Sequence, residues 1–281
     1  MGILCDLHTH SRYSDGTCTP TELVDAALEL GLGAIALTDH NTVSGLPEFL
    51  EAARGKPLEA VPGVEFSVDY GDKELHLLGL WIKPEHFSEV DGLLEEGKRA
   101  KDQSNRDLIA RLNRAGYALD YETIRGRTPN GQVNRAHIAT ELARMGAAPS
   151  IQEAFQALLR PECGYYIPPR RPDVFETLRV LNGIRAVPVL AHPFLNLKEP
   201  EKLRTFLKSA ADCGLAGMET RYPLFNGEQT ALARSLAQEF GLKESGGSDF
   251  HGSTKPDIFL GKGRGSLAVP VELAHALKPK F

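Results

Sequence analysis

No run of apolar residues in the sequence approaches the ~20 needed to cross a membrane as a helix. The N-terminus lacks the basic segment and apolar core of a signal peptide. Cysteine is scarce: Cys5, Cys18, Cys163 and Cys213 are scattered, with no C-x-x-C pair. That spacing excludes a disulfide framework and a thiolate metal site, and it fits a reducing compartment. An excess of positive charge is also missing. With 32 Lys and Arg against 37 Asp and Glu, the formal net charge is −5, which argues against a broad nucleic-acid-binding face but leaves room for a local basic pocket. Internal repeats and low-complexity tracts are absent. The composition that remains is ordinary globular, 42% hydrophobic and 25% charged over 281 residues, enough for one large domain or one domain with an insert. The expectation is a cytoplasmic protein without membrane association or a stable protein partner.

Short apolar runs alternate with helical stretches. Strands are expected near Ile3–Leu7, Ala34–Thr38, Glu59–Val68, Glu74–Ile82, Val187–Ala191, Ala216–Thr220 and Lys243–Gly247. Between the first two lies TPTELVDAALELGLG, where Thr19 or Thr21 caps a helix, Leu23, Ala26, Ala27 and Leu30 recur at helical spacing, and Gly31 stops it. Such strand–helix–strand units build parallel sheets or barrels. The third and fourth strands differ. Only SVDYGDKE separates Val64-Glu65-Phe66 from Leu75-His76-Leu77, too short for a parallel crossover, so they form an antiparallel hairpin turning near Gly71-Asp72. Glu65 and His76 then lie close together on neighbouring strands. Residues 88–165 read as an inserted helical subdomain, with 1–87 and 166–281 forming the parent domain.

The polar residues fall at the ends of those strands. His8 and His10 close the first, with Asp15 in the loop beyond; Asp39 and His40 follow the second; Glu65 and His76 occupy the hairpin; His192 follows the fifth; Asp249 and His251 follow the seventh. The C-terminal ends of strands are where α/β barrels and open sheets hold their active sites. A lone strand-end histidine is ordinarily structural, and His86 and His275 read that way. An H-x-H pair is different, because alternation puts both imidazoles on one side of a strand. Imidazole and carboxylate without thiolate suit Zn²⁺, Mn²⁺, Fe²⁺ or Mg²⁺, and nine ligands fit two or three ions. Clusters of this kind activate water at neutral pH and clamp the attacking and leaving oxygens of a displacement at phosphorus. Asp39 reads either as a ligand or as an acceptor that orients His40 or another imidazole. In the insert, Arg135 and His137 of NRAH stand at the start of a helix, a setting that favours phosphate; Arg12, between His10 and Asp15, is a second phosphate candidate and Lys255 a weaker one.

The ordered set DLHTHSRYSDG, ALTDHNT, PGVEFS, LHLLGL, LAHP and GSDFHG, spread from residue 6 to residue 252, resembles the polymerase and histidinol phosphatase (PHP) family. The resemblance implies a distorted (β/α)7 barrel with a helical insertion covering the active site, and a trinuclear divalent metal centre that hydrolyses phosphoesters. It assigns His8, His10, Glu65 and Asp249 to one ion, Glu65, His76 and His192 to a second, and Asp15, His40 and His251 to a third. HSRYSDGTCTPTELV, NRAHIA and SDFHGSTKPDIFLGKG are similar to a branch of stand-alone phosphoesterases that act on nucleotides, including 3′,5′-nucleoside bisphosphate phosphatases and a 5′→3′ exonuclease of short RNA. That branch implies substrate-phosphate contacts for Arg135 and His137. Two departures concern substrate details: Asn41 stands where many relatives carry Asp, and GIRAVPV lacks paired glycines before LAHP. Histidinol-phosphate phosphatase, with the same metal set, and a non-catalytic metal-binding module are the alternatives.

Overall fold

The computed structural model describes residues 2–128 and 133–279. Seven strands form one sheet in chain order: β1 (Cys5–Asp6), β2 (Ala34–Leu37), β3 (Glu59–Tyr70), β4 (Lys73–Leu80), β5 (Val187–Leu190), β6 (Gly217–Arg221) and β7 (Lys243–Gly246). Eleven α-helices are described: α1 (Pro20–Glu29), α2 (Leu46–Ala53), α3 (Phe87–Arg114), α4 (Tyr121–Gly126), α5 (Arg135–Arg144), α6 (Ile151–Ala154), α7 (Val174–Gly183), α8 (Pro193–Asn196), α9 (Pro200–Asp212), α10 (Gly227–Glu239) and α11 (Val271–Leu277). Packing separates two compact units, residues up to 91 together with 172 onward, and residues 92–171.

In the first unit the sheet is parallel except around β4, which pairs antiparallel with both β3 and β5. Tyr70 faces Lys73 across a two-residue turn in which Gly71 takes φ +60°, so the expected hairpin is present. The open edges meet: Leu7 N donates to Gly246 O (3.3 Å), Asp249 N to His8 O (2.8 Å) and His10 N to Phe250 O (2.9 Å). The result is a nearly closed, barrel-like sheet, the distorted (β/α)7 architecture the sequence implies. β1 is shorter than its apolar run because the chain beyond it bonds to the segment after β7 instead of to β2 alone. Thr19, not Thr21, caps α1: its hydroxyl accepts from Glu22 N (3.0 Å) while Glu22 accepts from Thr19 N (2.7 Å). The interior is filled by wholly buried strand residues such as Leu7, Ala36, Val61, Leu78 and Val189, which anchors the strand ends.

The second unit is helical and has its own core, including Leu108, Leu112, Ile138, Leu142 and Leu159. It contains α4, which the sequence reading does not anticipate; Asp120 caps it by accepting from Thr123 N (2.7 Å). Glu141 is buried here, and its carboxylate accepts from Arg144 (2.6 Å) and Arg127, which hold its pKa down to about 2. A carboxyl depressed on folding adds stability above its unfolded pKa and loses it as pH falls toward the folded one. The contribution is therefore complete above about pH 5 and fades toward about pH 2. Glu141→Gln is expected to lower the urea midpoint near neutrality, with the gap to the native protein narrowing from about pH 6 to about pH 3. A constant gap would show that these pairs carry no pH-dependent stability.

Candidate functional site

Glu65 of β3 is the hub of the site and is wholly buried. Its Oε2 lies 3.1 Å from His8 Nε2, 3.2 Å from His10 Nε2 and 3.0 Å from His40 Nδ1, while Oε1 lies 2.7 Å from His76 Nδ1 and 2.9 Å from His192 Nε2. Asp249 turns Oδ1 to His10 Nε2 (3.2 Å) and His8 Nε2 (3.6 Å). Asp15, nearly half exposed, reaches His251 Nε2 (3.2 Å) and stands 3.9 Å from both His10 Nδ1 and His40 Nε2. Three overlapping groups result, with one ligand atom from each member within 4.8 Å of the others: His8, His10, Glu65 and Asp249; His40, Glu65 and His76; and His10, Asp15, His40 and His251. His192 joins through Glu65.

The donor chemistry fits a cation. His8 Nε2, both ring nitrogens of His10, His192 Nδ1 and Glu65 Oε2 are buried and have no hydrogen-bond partner among the described residues, although imidazole and carboxylate approach closely. Orphaned buried donors are costly unless an ion completes them. Burial alone would raise the Glu65 carboxyl, but His40, His8 and His76 hold it well below the usual carboxylate range. Asp249 is lowered in the same way by His8 and His10. Burial pushes His40 down to about 3, whereas at His8, His10 and His76 the surrounding carboxylates outweigh burial and raise the rings, His10 to about 9 and His76 to about 10. A cation bound here would displace protons from those raised rings. His192 and Asp249 adopt left-handed backbone, with φ +25° and +54°, a strained conformation typical of functional positions.

Residues 6–161 match the PHP domain model. This chain belongs to the PHP family. The 5′-3′ exoribonuclease Rnm of Salmonella typhimurium is 32% identical over 263 residues, covering 92% of this chain and 89% of the relative. The 3′,5′-nucleoside bisphosphate phosphatase of Chromobacterium violaceum is 31% identical over 252 residues, covering 88% and 86%. A solved structure from Bifidobacterium adolescentis, described as a metal-dependent phosphoesterase, superposes with a TM-score of 0.81 at 26% identity and covers 97% and 94%. The PHP protein is a metal-dependent hydrolase of phosphoric esters. No described helix is long and apolar enough to cross a membrane.

Around the cluster of this PHP protein stands a ring of acids, only part of which the sequence signals. Asp39, expected to coordinate or to orient an imidazole, lies outside the three ligand groups, and its described hydrogen bonds go to hydroxyl and backbone donors. Its carboxylate accepts from Ser11 N (2.7 Å), Ser11 Oγ (2.6 Å) and Ser14 Oγ (2.6 Å), so it pins the loop that carries Asp15. Asp39 ends the apolar strand β2, and a short loop rich in hydroxyls satisfies its oxygens better than a ring nitrogen already directed at Glu65. Asp39→Asn leaves one acceptor oxygen for three donors; a loss of about tenfold in activity at limiting Mn²⁺ is expected, largely recovered at high Mn²⁺. An unchanged Mn²⁺ dependence would reject this role.

Asp6 and Glu219, both fully buried, are unanticipated. Asp6 accepts from Ser248 N (2.8 Å) and Gly261 N (2.8 Å), joining β1 to the segments after β7. Glu219 accepts from His192 N (2.6 Å) and meets His8 Nδ1 at 3.0 Å. Its signal was available: a carboxylate near the end of the apolar run AGMET follows the same strand-end rule as the others. Tyr222 OH and Lys255 Nζ both donate to Asp249 Oδ2 (2.7 Å each), which leaves Oδ1 for the cluster. Burial, reinforced by Asp249, raises the Tyr222 pKa, so Tyr222 stays a donor. Gly247 is required here because a Cβ would stand 2.4 Å from His8 Cβ and 2.5 Å from His8 N.

The phosphate-binding candidates belong to both units, Arg12 to the first and Arg135 and His137 to the second. Arg12 is more than half exposed, with its guanidinium 4.0 Å from Glu48 and over the Tyr13 ring. In the second unit, Arg135 opens α5, stacks over Tyr166 (4.2 Å) and Phe155 (5.0 Å), and donates to Leu159 O (3.2 Å). His137 completes the α5 capping box, with Nδ1 accepting from Asn134 N (3.2 Å). Asn41, the family departure, takes φ +50° and clasps Ser67 through both ends of its carboxamide.

Proposed function

We propose that this PHP protein hydrolyses phosphate esters of nucleotides, either a bisphosphonucleotide or a short oligoribonucleotide, at a centre of three divalent ions. The observation that carries the reading is Glu65 ringed by five imidazoles, with buried ring nitrogens of His8, His10 and His192 and Glu65 Oε2 itself left without a hydrogen-bond partner among the described residues. His8, His10, Glu65 and Asp249 would hold one ion, Glu65, His76 and His192 a second, and Asp15, His40 and His251 a third. Bound there, divalent metal acidifies water and neutralises charge on phosphoryl oxygens. The chain's own residues prepare the centre: Tyr222 and Lys255 fix Asp249, Glu219 fixes His8 and His192, and Asp39 fixes the Asp15 loop. Arg135 and His137 are assigned to substrate phosphate on their chemistry, a planar guanidinium stacked on aromatic rings at a helix start. Nucleotides are favoured because the relatives named above act on a bisphosphonucleotide and on RNA. Mn²⁺, Fe²⁺, Zn²⁺ and Mg²⁺ all suit the oxygen and nitrogen donors. Four free cysteines suit a reducing cytoplasm.

The test is phosphate release from adenosine 3′,5′-bisphosphate, AMP, a 5′-phosphorylated short oligoribonucleotide and histidinol phosphate, with Mn²⁺ added. Preferred turnover of a nucleotide, abolished by EDTA and restored by metal, is expected. Turnover confined to histidinol phosphate, or bound metal with no turnover, would overturn the reading.

A further inference from the structure

The cleft onto which the cluster opens has a volume of about 660 Å³, within the range that holds one nucleotide-sized ligand. Five of its lining residues, His40, Glu65, His76, His192 and Asp249, belong to the cluster. A phosphoryl group held at those residues leaves only the rest of the lining for the group it is esterified to. That remaining lining has a distinct chemistry. Leu195, on α8 after β5, is 38% exposed, and Leu224, in the loop after β6, is 43% exposed. Both sit on segments braced from beneath: Phe194 packs edge-on against Phe225 (5.0 Å between centroids), and Phe225 packs against Tyr222 (5.2 Å). Two large apolar side chains held open to water beside a charged centre suit a flat apolar partner. Asn196 donates one amide N–H to Glu74 O (2.6 Å), which orients the carboxamide and leaves its carbonyl oxygen and a second N–H for a ligand. Among the described residues Lys73 pairs with exposed Asp72 at 3.6 Å, a contact worth little and easily exchanged for an anion, although Glu74 also lines this side of the cleft.

We propose that Leu195, Leu224, Asn196 and Lys73 form the leaving-group subsite of the cleft, built for a nucleoside that carries a second phosphate. The leucines cover the base, Asn196 accepts from the base or the ribose, and Lys73 meets the phosphate that is not cleaved. This rests on the nucleotide reading above and adds the residues that enforce it. A substrate without a ring or a second phosphate uses the metal cluster but not this wall.

The test compares kcat/KM for adenosine 3′,5′-bisphosphate, AMP and glycerol 2-phosphate in the native Mn²⁺-loaded protein, in the double variant Leu195→Asn with Leu224→Asn, and in Lys73→Met. These positions are exposed, so the substitutions leave the fold intact. In the double variant the preference for AMP over glycerol 2-phosphate is expected to fall about tenfold. In Lys73→Met the preference for the bisphosphate over AMP is expected to fall by about the same factor. Calorimetric titration of AMP, which needs no turnover, gives an independent reading: its Kd rises about tenfold in the double variant. A native preference for nucleotides that survives both sets of substitutions overturns the subsite alone. A native enzyme that shows no preference for nucleotides overturns the nucleotide reading, and the subsite with it.

Discussion

Glu65→Gln is expected to lower kcat/KM by at least about 10³-fold while the protein remains folded, because it removes the one group shared by five imidazoles. The substitution keeps the shape of the side chain, so no cavity opens. It changes the chemistry on both sides at once. If the amide nitrogen takes the Oε2 position, His8, His10 and His40 lose their anionic partner; if it takes the Oε1 position, His76 and His192 lose theirs. An amide cannot accept with its nitrogen and carries no charge to set against a cation. Metal content by elemental analysis should fall together with activity, and circular dichroism should stay native. A Glu65→Gln protein that holds its full metal complement and turns over at the native rate would refute the assignment of Glu65 as the bridging ligand.

How much of this was legible beforehand depends on whether a residue's role is local or borrowed. The strands show in sequence because buried strands must be apolar, and the reactive residues show because they interrupt that pattern at strand ends: His8 and His10 after Leu7, Asp39 and His40 after Leu37, His192 after Leu190 and Ala191. The hairpin is legible from the length of its connection, which brings Glu65 and His76 close on neighbouring strands; in the sheet Glu65 pairs with Leu78 and His76 with Ser67. Other features depend on partners distant in the chain. Nothing near Asp6 announces that Ser248 and Gly261 will bond to it, more than 240 residues later. Asp39 is legible as a ligand or as an acceptor for an imidazole but not as the anchor of Ser11 and Ser14, because that choice depends on how the loop after β1 folds back. Arg12 is a substrate candidate by its position between His10 and Asp15, and its contact with Glu48 of α2, at 4.0 Å on an exposed side chain, is one that only the folded chain shows. Asn134 and His137 stand three residues apart in NRAH; that His137 accepts at Nδ1 from the helix cap follows only once α5 begins at Arg135.

Glu219→Gln is the second substitution expected to have a large effect, and it tests a residue that binds no ion in the scheme above. Glu219 is fully buried, and each of its oxygens serves a different segment of the centre: Oε1 meets His8 Nδ1 at 3.0 Å and Oε2 accepts from His192 N at 2.6 Å. The first contact fixes the tautomer of His8, with the proton on Nδ1, so that Nε2 keeps its lone pair facing Glu65 and Asp249. The second holds the strained backbone at His192, whose φ of +25° needs a strong acceptor to persist. A carboxamide accepts at only one of these two positions and presents N–H to a donor at the other, so one bond becomes a repulsion inside a site closed to water. The expected outcome is an affinity for Mn²⁺ weakened by about 100-fold, with activity at saturating Mn²⁺ recovering to within about tenfold of native. That split separates positioning from coordination: loss of Glu65 is not rescued by added metal, whereas loss of Glu219 is rescued in large part. Titrating activity and bound metal against free Mn²⁺ in both variants checks it, and native Mn²⁺ affinity in Glu219→Gln would show that His8 and His192 hold their orientation without this carboxylate.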